Sequence, residues 1–105
     1  MPAYRCVVIP LLKAIGQRFI LKDWLAITIG PLVFSWRELD PVELAHEIQH
    51  VRQWRKNGLM YIPRYFAASR AAVKAGGDRY WDNAFEVEAR AAADKVRKKL
   101  DLGEG

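Results

Sequence analysis

The sequence has little of what marks a secreted or disulfide-stabilised protein. It contains one cysteine, Cys6, and only two histidines among 105 residues. A single cysteine excludes an intramolecular disulfide and suits a reducing compartment, so we expect a cytoplasmic protein. Cys6 stands in an apolar run, which predicts a buried structural thiol.

The sequence also lacks a hydrophobic run long enough to cross a membrane. Its most apolar stretch, residues 24–36, has about thirteen residues and is interrupted by Gly30 and Pro31, whereas a transmembrane helix needs about 20. The first residues contain one arginine and a short apolar run broken by Pro10, with no convincing cleavage site for a signal peptide. We therefore expect no membrane partner.

The composition favours one packed domain with a basic surface. Hydrophobic residues make up 51% of the chain and include four tryptophans, as expected for a single globular domain over residues 1–105 with a frayed tail at 102–105. The net charge of +5 attracts acidic partners such as nucleic acid, although a solvated basic surface explains it without a ligand.

The order of the local patterns predicts an α+β fold, in which a small, mostly antiparallel N-terminal sheet packs on about three helices. Short β-branched or aromatic runs, separated by proline, glycine or charged residues, indicate strands before residue 37. From Asp40 onward the apolar period is helical. The strand-like runs are residues 7–9, 18–21, 25–29 and 32–36.

The first helix has three start signals in a row. Asp40 is a suitable N-cap, Pro41 stands at the first helical position and Glu43 at the third. Asn57 and Gly58 predict its end. The apolar stripe of this helix is Leu44, Ile48 and Val51, and its polar face is Glu43, His46, His50, Gln53 and Asn57.

Two further helices follow. The second is predicted over residues 62–74, opened by Pro63, and the third begins at Asp82 or Asn83 and ends near Leu100. Each has an apolar stripe that we expect to be buried. The stripes are Ile62, Phe66, Ser69 and Val73 in the second helix, and Phe85, Ala89, Ala92, Val96 and Leu100 in the third.

Both histidines belong to one motif, His46-Glu47-Ile48-Gln49-His50, on the polar face of the first helix. Residues four apart on a helix share a face, so both imidazoles can bind a single Zn²⁺. In this HExxH pattern the glutamate after the first histidine acts as general base on a zinc-bound water. Chance placement would produce it roughly once in a thousand such sequences. The alternative is a helix with two ordinary surface histidines.

A catalytic zinc site needs a third protein ligand, and no histidine is left for it. The extended pattern HExxHxxGxxH is excluded because Gln53 and Lys56 occupy its later positions. A carboxylate is therefore expected, with Cys6 as a weaker candidate. The downstream carboxylates are Asp78, Asp82, Glu86, Glu88 and Asp94.

Two of these, Glu86 and Glu88, flank the apolar stripe of the third helix at similar angles. Small Ala93 on the side of Glu86 leaves room for a cleft, whereas lysines make the Glu88 side a charged surface. This favours Glu86 modestly. However, Asn83 and Glu86 also match a capping box, in which the glutamate bonds the backbone of the cap. Helix geometry leaves the choice between Glu86 and Glu88 open.

The HEIQH motif is followed, after a helical connection, by Glu86-Val87-Glu88-Ala89. With this segment the chain resembles the gluzincin class of zinc peptidases over residues 24–94, and most closely the single-domain minigluzincins. Their "glutamate helix" supplies the third ligand from a Glu-x-x-Ala sequence, which here implies Glu86. The resemblance also implies that residues 27–36 bind extended substrate by strand addition. Tyr80 would then stabilise the oxyanion, unless it forms an aromatic core pair with Trp81.

One position departs from the family pattern. Many gluzincins have an aspartate four residues after the ligand glutamate, where it orients a zinc-bound histidine. This chain has Arg90 there. Asp82, Asp94 or a backbone carbonyl must then orient the histidine, or the site is weak.

Together these expectations describe a zinc metalloendopeptidase. Zinc would be held by His46, His50 and Glu86, with Glu47 as general base and Tyr80 as oxyanion donor, and the substrate would be a peptide or protein bound as an extended strand. The activity could be latent, because so short a chain has little material for a lower cleft wall. The substrate pockets are then expected to be shallow, or covered by the chain's own tail or by a second copy in a homodimer. The alternatives are a zinc-binding module without proteolysis and a basic nucleic-acid-binding domain.

Overall fold

The computed structural model describes residues 3–14 and 26–102. Over these ranges the chain forms a small sheet and three helices, so the predicted α+β fold is confirmed. None of the helices within these ranges combines the length and apolar character needed to span a bilayer. The predicted strand at 18–21 and all of the tail except Leu102 lie outside the described residues. The elements are β1 (Arg5–Val8), β2 (Ala26–Ile29), β3 (Leu32–Ser35), α1 (Pro41–Asn57), α2 (Tyr61–Lys74) and α3 (Ala84–Asp101).

The described strands form a mixed sheet in the order β1-β3-β2, with β2 at one edge. β2 and β3 pair antiparallel as a hairpin around Gly30 and Pro31, and the φ of 59° at Gly30 is one that glycine adopts without steric cost. β1 pairs parallel with β3, whereas the sequence predicted a mostly antiparallel sheet. The alternation of apolar and polar residues along a strand does not show whether a strand distant in sequence pairs parallel or antiparallel with it. Only the pairing of the hairpin strands was therefore predictable.

α1 begins and ends where the sequence predicted. The backbone N–H of Glu43 donates to Asp40 Oδ1 at 2.7 Å, and that of Asp40 donates to Glu43 Oε1 at 3.1 Å, which completes a capping box. Arg37 donates to both oxygens of Glu43, at 2.9 and 2.7 Å. At the other end Gly58 has a φ of 60° and starts a 3-10 turn, Gly58–Met60, that leads into α2.

The core lies where α1 packs against α3 and the sheet. α1 has its most extensive helix contacts with α3, where the buried Ala89 and Ala93 allow a close approach. Ile48 and Val51 of the predicted α1 stripe are buried. Part of the polar face, including His50, is buried as well. α1 is therefore covered on two sides, and its polar side chains lie in the interior.

The inward face of α2 is not the one predicted. Ile62, Phe66 and Val73 are exposed, Phe66 over 67% of its surface, whereas Tyr61 and Ala72 are buried. Hydropathy ranks tyrosine below isoleucine and phenylalanine, but a buried tyrosine is stable where its hydroxyl finds a hydrogen-bond partner. The buried thiol predicted at Cys6 is also wrong. Cys6 is exposed, because β1 lies at the other edge of the sheet and little of the described chain covers it.

Candidate metal centre

Three side chains proposed from the sequence as metal ligands meet between α1 and α3. His46 and His50 lie one turn apart on α1, and Glu86 lies in the first turn of α3. Glu86 Oε1 is 2.9 Å from His50 Nε2 and 3.4 Å from His46 Nε2. One ligand atom from each residue lies within 4.8 Å of the others, so the group could hold a metal ion. His50 and Glu86 are buried, and His46 is partly exposed.

The donor set and its spacing are compatible with zinc. Zn²⁺ binds imidazole nitrogen and carboxylate oxygen at about 2.0–2.2 Å, which places the ligand atoms of a tetrahedral site about 3.4 Å apart. The separations of 3.4 and 2.9 Å from Glu86 Oε1 are close to this value. The donor set and these two separations are therefore compatible with a bound zinc ion, and the third pair of ligand atoms lies within 4.8 Å.

The carboxylate of Glu86 and the imidazole of His50 stabilise each other's charged forms. Burial raises the pKa of Glu86, but hydrogen bonds from His46, His50 and Tyr65 outweigh it and hold that pKa well below its usual range. Burial lowers the pKa of His50, yet the hydrogen bond and charge of Glu86 raise it above its usual value overall. The centre therefore favours positive charge beside Glu86, which a proton or a metal ion can supply.

Glu86 can face the histidines because Asn83 caps α3 without its help. Asn83 Oδ1 accepts from the backbone N–H of Phe85 at 2.9 Å, and the backbone N–H of Asn83 donates to the carbonyl of Tyr80 at 3.2 Å. The capping box considered from the sequence required Glu86 to accept from that N–H, so it is not formed among the described residues. The Asn83 amide nitrogen instead donates to the carbonyl of Tyr65 at 3.0 Å, which ties α3 to α2.

Glu88, the rival of Glu86 in the sequence, lies on a different side of α3. Its Oε1 accepts from Gln49 Nε2 at 2.6 Å and from Gln53 Nε2 at 3.0 Å, across the interface with α1. The structure brings Glu86, and not Glu88, to the two histidines. The packing of α1 on α3 therefore decides between Glu86 and Glu88, which the geometry of α3 alone could not distinguish.

Tyr65 of α2 belongs to the centre, although the sequence did not single it out. Its hydroxyl donates to Glu86 Oε2 at 2.5 Å, which leaves Oε1 facing the histidines. Burial and the neighbouring Glu86 raise the pKa of Tyr65, so the phenol stays protonated and keeps donating. The signal for it in the sequence is the spacing of Tyr61 and Tyr65, which places both on one face of α2.

The second ring nitrogen of His50 faces an amide, and not the aspartate or backbone carbonyl expected from the sequence. His50 Nδ1 is 2.8 Å from Gln53 Oε1, and the Tyr61 hydroxyl is 3.3 Å from both atoms. Asp82 bonds a backbone N–H in its own loop, and Asp94 pairs with an arginine one turn along α3. Gln53 had no signal in the sequence beyond its place on the polar face of α1.

Glu47 is held beside the centre by a residue of the sheet. Thr28 Oγ1 of β2 donates to Glu47 Oε1 at 3.0 Å, and Glu47 Oε2 is 3.9 Å from His46 Nε2. The Glu47 carboxylate is buried. With one oxygen bonded and the other facing His46, it can exchange a proton with a molecule bound at the centre.

The centre opens into a cleft of about 1150 Å³ lined by β2, α1, α2 and α3. Phe66 and Trp81 are large exposed apolar side chains on its rim. Tyr80 lines the same cleft, and among the described residues its hydroxyl has no hydrogen-bond partner. Burial and the charges of Glu86 and Glu47 raise the pKa of Tyr80 to about 12. Its hydroxyl is therefore a proton donor at neutral pH.

Trp81 pairs with Arg90 and not with Tyr80. The Arg90 guanidinium lies over the Trp81 ring, 3.8 Å from its centre, and also donates to the Trp81 carbonyl. Tyr80 and Trp81 are both exposed. The aromatic core pair considered from the sequence is therefore not formed, and Tyr80 lines the cleft instead.

Comparison with known proteins assigns no family to the chain. No family model, no curated protein and no solved structure matches it. The resemblance to gluzincins therefore rests on the motif residues alone. To these the structure adds their convergence into a His/His/Glu group close enough to hold a metal ion, with a further glutamate beside it.

Proposed function

We propose that this protein is a gluzincin-type zinc metallopeptidase, with His46, His50 and Glu86 as zinc ligands and Glu47 as general base. The observation that carries the proposal is the convergence of both histidine Nε2 atoms on one oxygen of Glu86, at 2.9 and 3.4 Å. Two histidines and one glutamate are a known ligand set of hydrolytic zinc sites. An HExxH helix that also carries a glutamate beside this set supports hydrolysis over a purely structural metal.

The chemistry follows from the positions of the side chains. Zinc held by these ligands would lower the pKa of a bound water towards neutrality and polarise the carbonyl of a peptide bond. Glu47 would accept the proton of the attacking water and pass it to the leaving amine. Because Thr28 holds the other oxygen of Glu47 at 3.0 Å, the carboxylate is oriented before the substrate arrives.

The proposed substrate is a peptide or protein segment in an extended conformation. β2 is an edge strand among the described residues and lines the same cleft as the metal centre, so a peptide can add beside it as a further strand. Phe66 and Trp81 on the rim offer contacts to apolar side chains. Tyr80 is the proposed donor to the oxyanion that forms at the attacked carbonyl.

The first test is zinc content per chain, measured by elemental analysis of protein purified without added metal. We expect about one zinc in the parent, its loss in His46→Ala and Glu86→Ala, and its retention in Glu88→Ala, the matched control on the same helix. A parent that holds no zinc and cannot be loaded with it would refute the proposal. The basic nucleic-acid-binding alternative would then predict binding to DNA or RNA that weakens steeply with salt.

The second test separates the metal from the reaction. Glu47→Gln should keep zinc but lose turnover of peptides, because the amide cannot accept the proton of the water. Glu38→Gln, at an exposed glutamate outside the cleft, is the matched control and should retain turnover. Undiminished cleavage by Glu47→Gln would contradict the assigned base. Stoichiometric zinc with no cleavage by the parent across a varied peptide library would favour a zinc-binding module without proteolysis.

A further inference from the structure

We propose that Gln53 is a positioning residue that fixes the ring orientation of His50 by accepting a hydrogen bond from Nδ1, so that Nε2 faces Glu86. The side chain of Gln53 lies in the interior, with only 4% of the residue exposed. Each of its polar atoms has a partner from a different part of the fold. The consequence for metal binding rests on the proposed zinc site, whereas the hydrogen bond between Nδ1 and Gln53 does not.

The orientation of the Gln53 amide follows from its two partners on α3. Gln53 Nε2 is 2.9 Å from the carbonyl oxygen of Phe85 and 3.0 Å from Glu88 Oε1. Both partners only accept hydrogen bonds. Exchanging the oxygen and nitrogen of the amide would place Oε1 against two acceptors and lose both bonds. The nitrogen must therefore face α3, and the oxygen must face His50.

The orientation of the Gln53 amide determines that His50 Nδ1 acts as a hydrogen-bond donor. Gln53 Oε1 is 2.8 Å from His50 Nδ1, and an oxygen that only accepts requires a donor at that nitrogen. The Tyr61 hydroxyl is 3.3 Å from both atoms. Since Nδ1 donates, Tyr61 donates to Gln53 Oε1 and completes its acceptor capacity. The other nitrogen, Nε2, is then the one presented to Glu86, 2.9 Å away.

This assignment gives Glu88 a role other than metal ligand. Glu88 holds the amide that orients His50, while Glu86, two residues earlier on α3, faces the same imidazole from the other side. One turn of α3 therefore controls both nitrogens of His50. In sites where a carboxylate orients the ligand histidine, that role adds a negative charge. Here a neutral amide orients the ring, and the negative charge of Glu88 is separated from the ring by one further hydrogen bond.

The experiment compares Gln53→Met with Gln49→Met. Methionine has a similar length but forms no comparable hydrogen bond. Gln49 is a matched control because it lies on the same helix and donates to the same oxygen of Glu88, yet has no hydrogen bond to His50. Proton–nitrogen NMR of the metal-free protein reports whether His50 Nδ1 carries a proton protected from exchange with water. Zinc affinity is measured separately by competition with a chelator.

We expect the protected Nδ1 proton in the parent and in Gln49→Met, and its loss in Gln53→Met. Zinc affinity should fall about 10–100-fold in Gln53→Met alone. The parent by itself keeps the proposal testable if Gln53→Met does not fold, because the hydrogen bond to Gln53 requires a protected Nδ1 proton in the parent.

A protected Nδ1 proton in Gln53→Met, or its absence in the parent, would overturn the assignment. Equal zinc affinities of the two methionine variants would overturn the positioning role. If the parent binds no zinc, the metallopeptidase proposal fails, and the NMR comparison still decides whether His50 Nδ1 donates to Gln53.

Discussion

Asn83 links the fold to the metal centre, and replacing it tests that link. The residue is 0% exposed. Its Oδ1 accepts from the backbone N–H of Phe85 at 2.9 Å, and its Nδ2 donates to the carbonyl of Tyr65 at 3.0 Å and to Ser69 Oγ at 2.9 Å. One side chain thus caps α3 and joins it to α2, the helix whose tyrosine hydroxyl bonds the proposed ligand Glu86.

Asn83→Ala should lower the free energy of unfolding by about 2–4 kcal/mol. Loss of the cap bond costs about 1 kcal/mol. Leaving the carbonyl of Tyr65 and the hydroxyl of Ser69, both partly buried, without their donor costs about 1 kcal/mol for each group. Asn83→Ser keeps an acceptor for the cap and loses only the two donated bonds, so its loss of stability should be smaller.

Urea denaturation of the metal-free protein measures these losses. Asn57→Ala is a control of the same residue type, because the Asn57 amide donates to a carbonyl of its own helix at 2.8 Å and its Oδ1 accepts from Arg64 of α2 at an exposed position, where a hydrogen bond contributes little. Its expected loss is below about 1 kcal/mol. Equal losses at the two asparagines, or a loss at Asn83 no larger than that of the cap bond alone, would refute this reasoning.

The remaining predictions concern the charged centre and the cleft. The pKa of His50 is raised in the folded state, so protonation of His50 stabilises the metal-free protein. This stabilisation is complete below about pH 6.5 and is lost as the pH rises through the folded-state pKa. In Glu86→Gln the free energy of unfolding, measured with urea, should no longer fall over this pH range. A fall that persists in this variant would have to come from other groups. Tyr65→Phe removes the donor to Glu86 Oε2 and should raise the pKa of Glu86, measured by NMR titration of its carboxyl carbon. An unchanged pKa would contradict the role of that bond. Tyr80→Phe should lower kcat for peptide cleavage roughly a hundredfold with little change in KM, whereas a change in KM alone would place Tyr80 in substrate binding.

α1 and its motif were predictable from the sequence because their signals are local. Asp40, Glu43 and Gly58 satisfy or terminate backbone groups within a few residues of themselves, so no distant partner decides where the helix begins and ends. The common face of His46 and His50 follows from their spacing in the same way.

The parts of the site that depend on another helix were not predictable in this way. The hydroxyl of Tyr65 can be partly buried because Glu86 of α3 accepts its hydrogen bond, and Gln53 can be buried because Glu88 and a backbone carbonyl of α3 accept from its amide. Hydropathy alone does not show these hydrogen-bond partners. It therefore predicted the stripe that includes Phe66 as the inward face of α2. The choice of Glu86 over Glu88 depends on the same packing.

The hydrogen bonds around the centre favour a metal ion over simple ion pairing. Tyr65 bonds Glu86 Oε2 and Gln53 bonds His50 Nδ1, so Glu86 Oε1 is left facing the Nε2 atoms of His46 and His50. Filling both contacts with protons requires an Nε2–H on each imidazole, and this makes His50 a buried imidazolium ion because its Nδ1 also donates. One divalent ion bound by all three ligand atoms would instead leave both imidazoles neutral. Zinc content is therefore the property to measure first, because the geometry bears on the metal more directly than on the peptide.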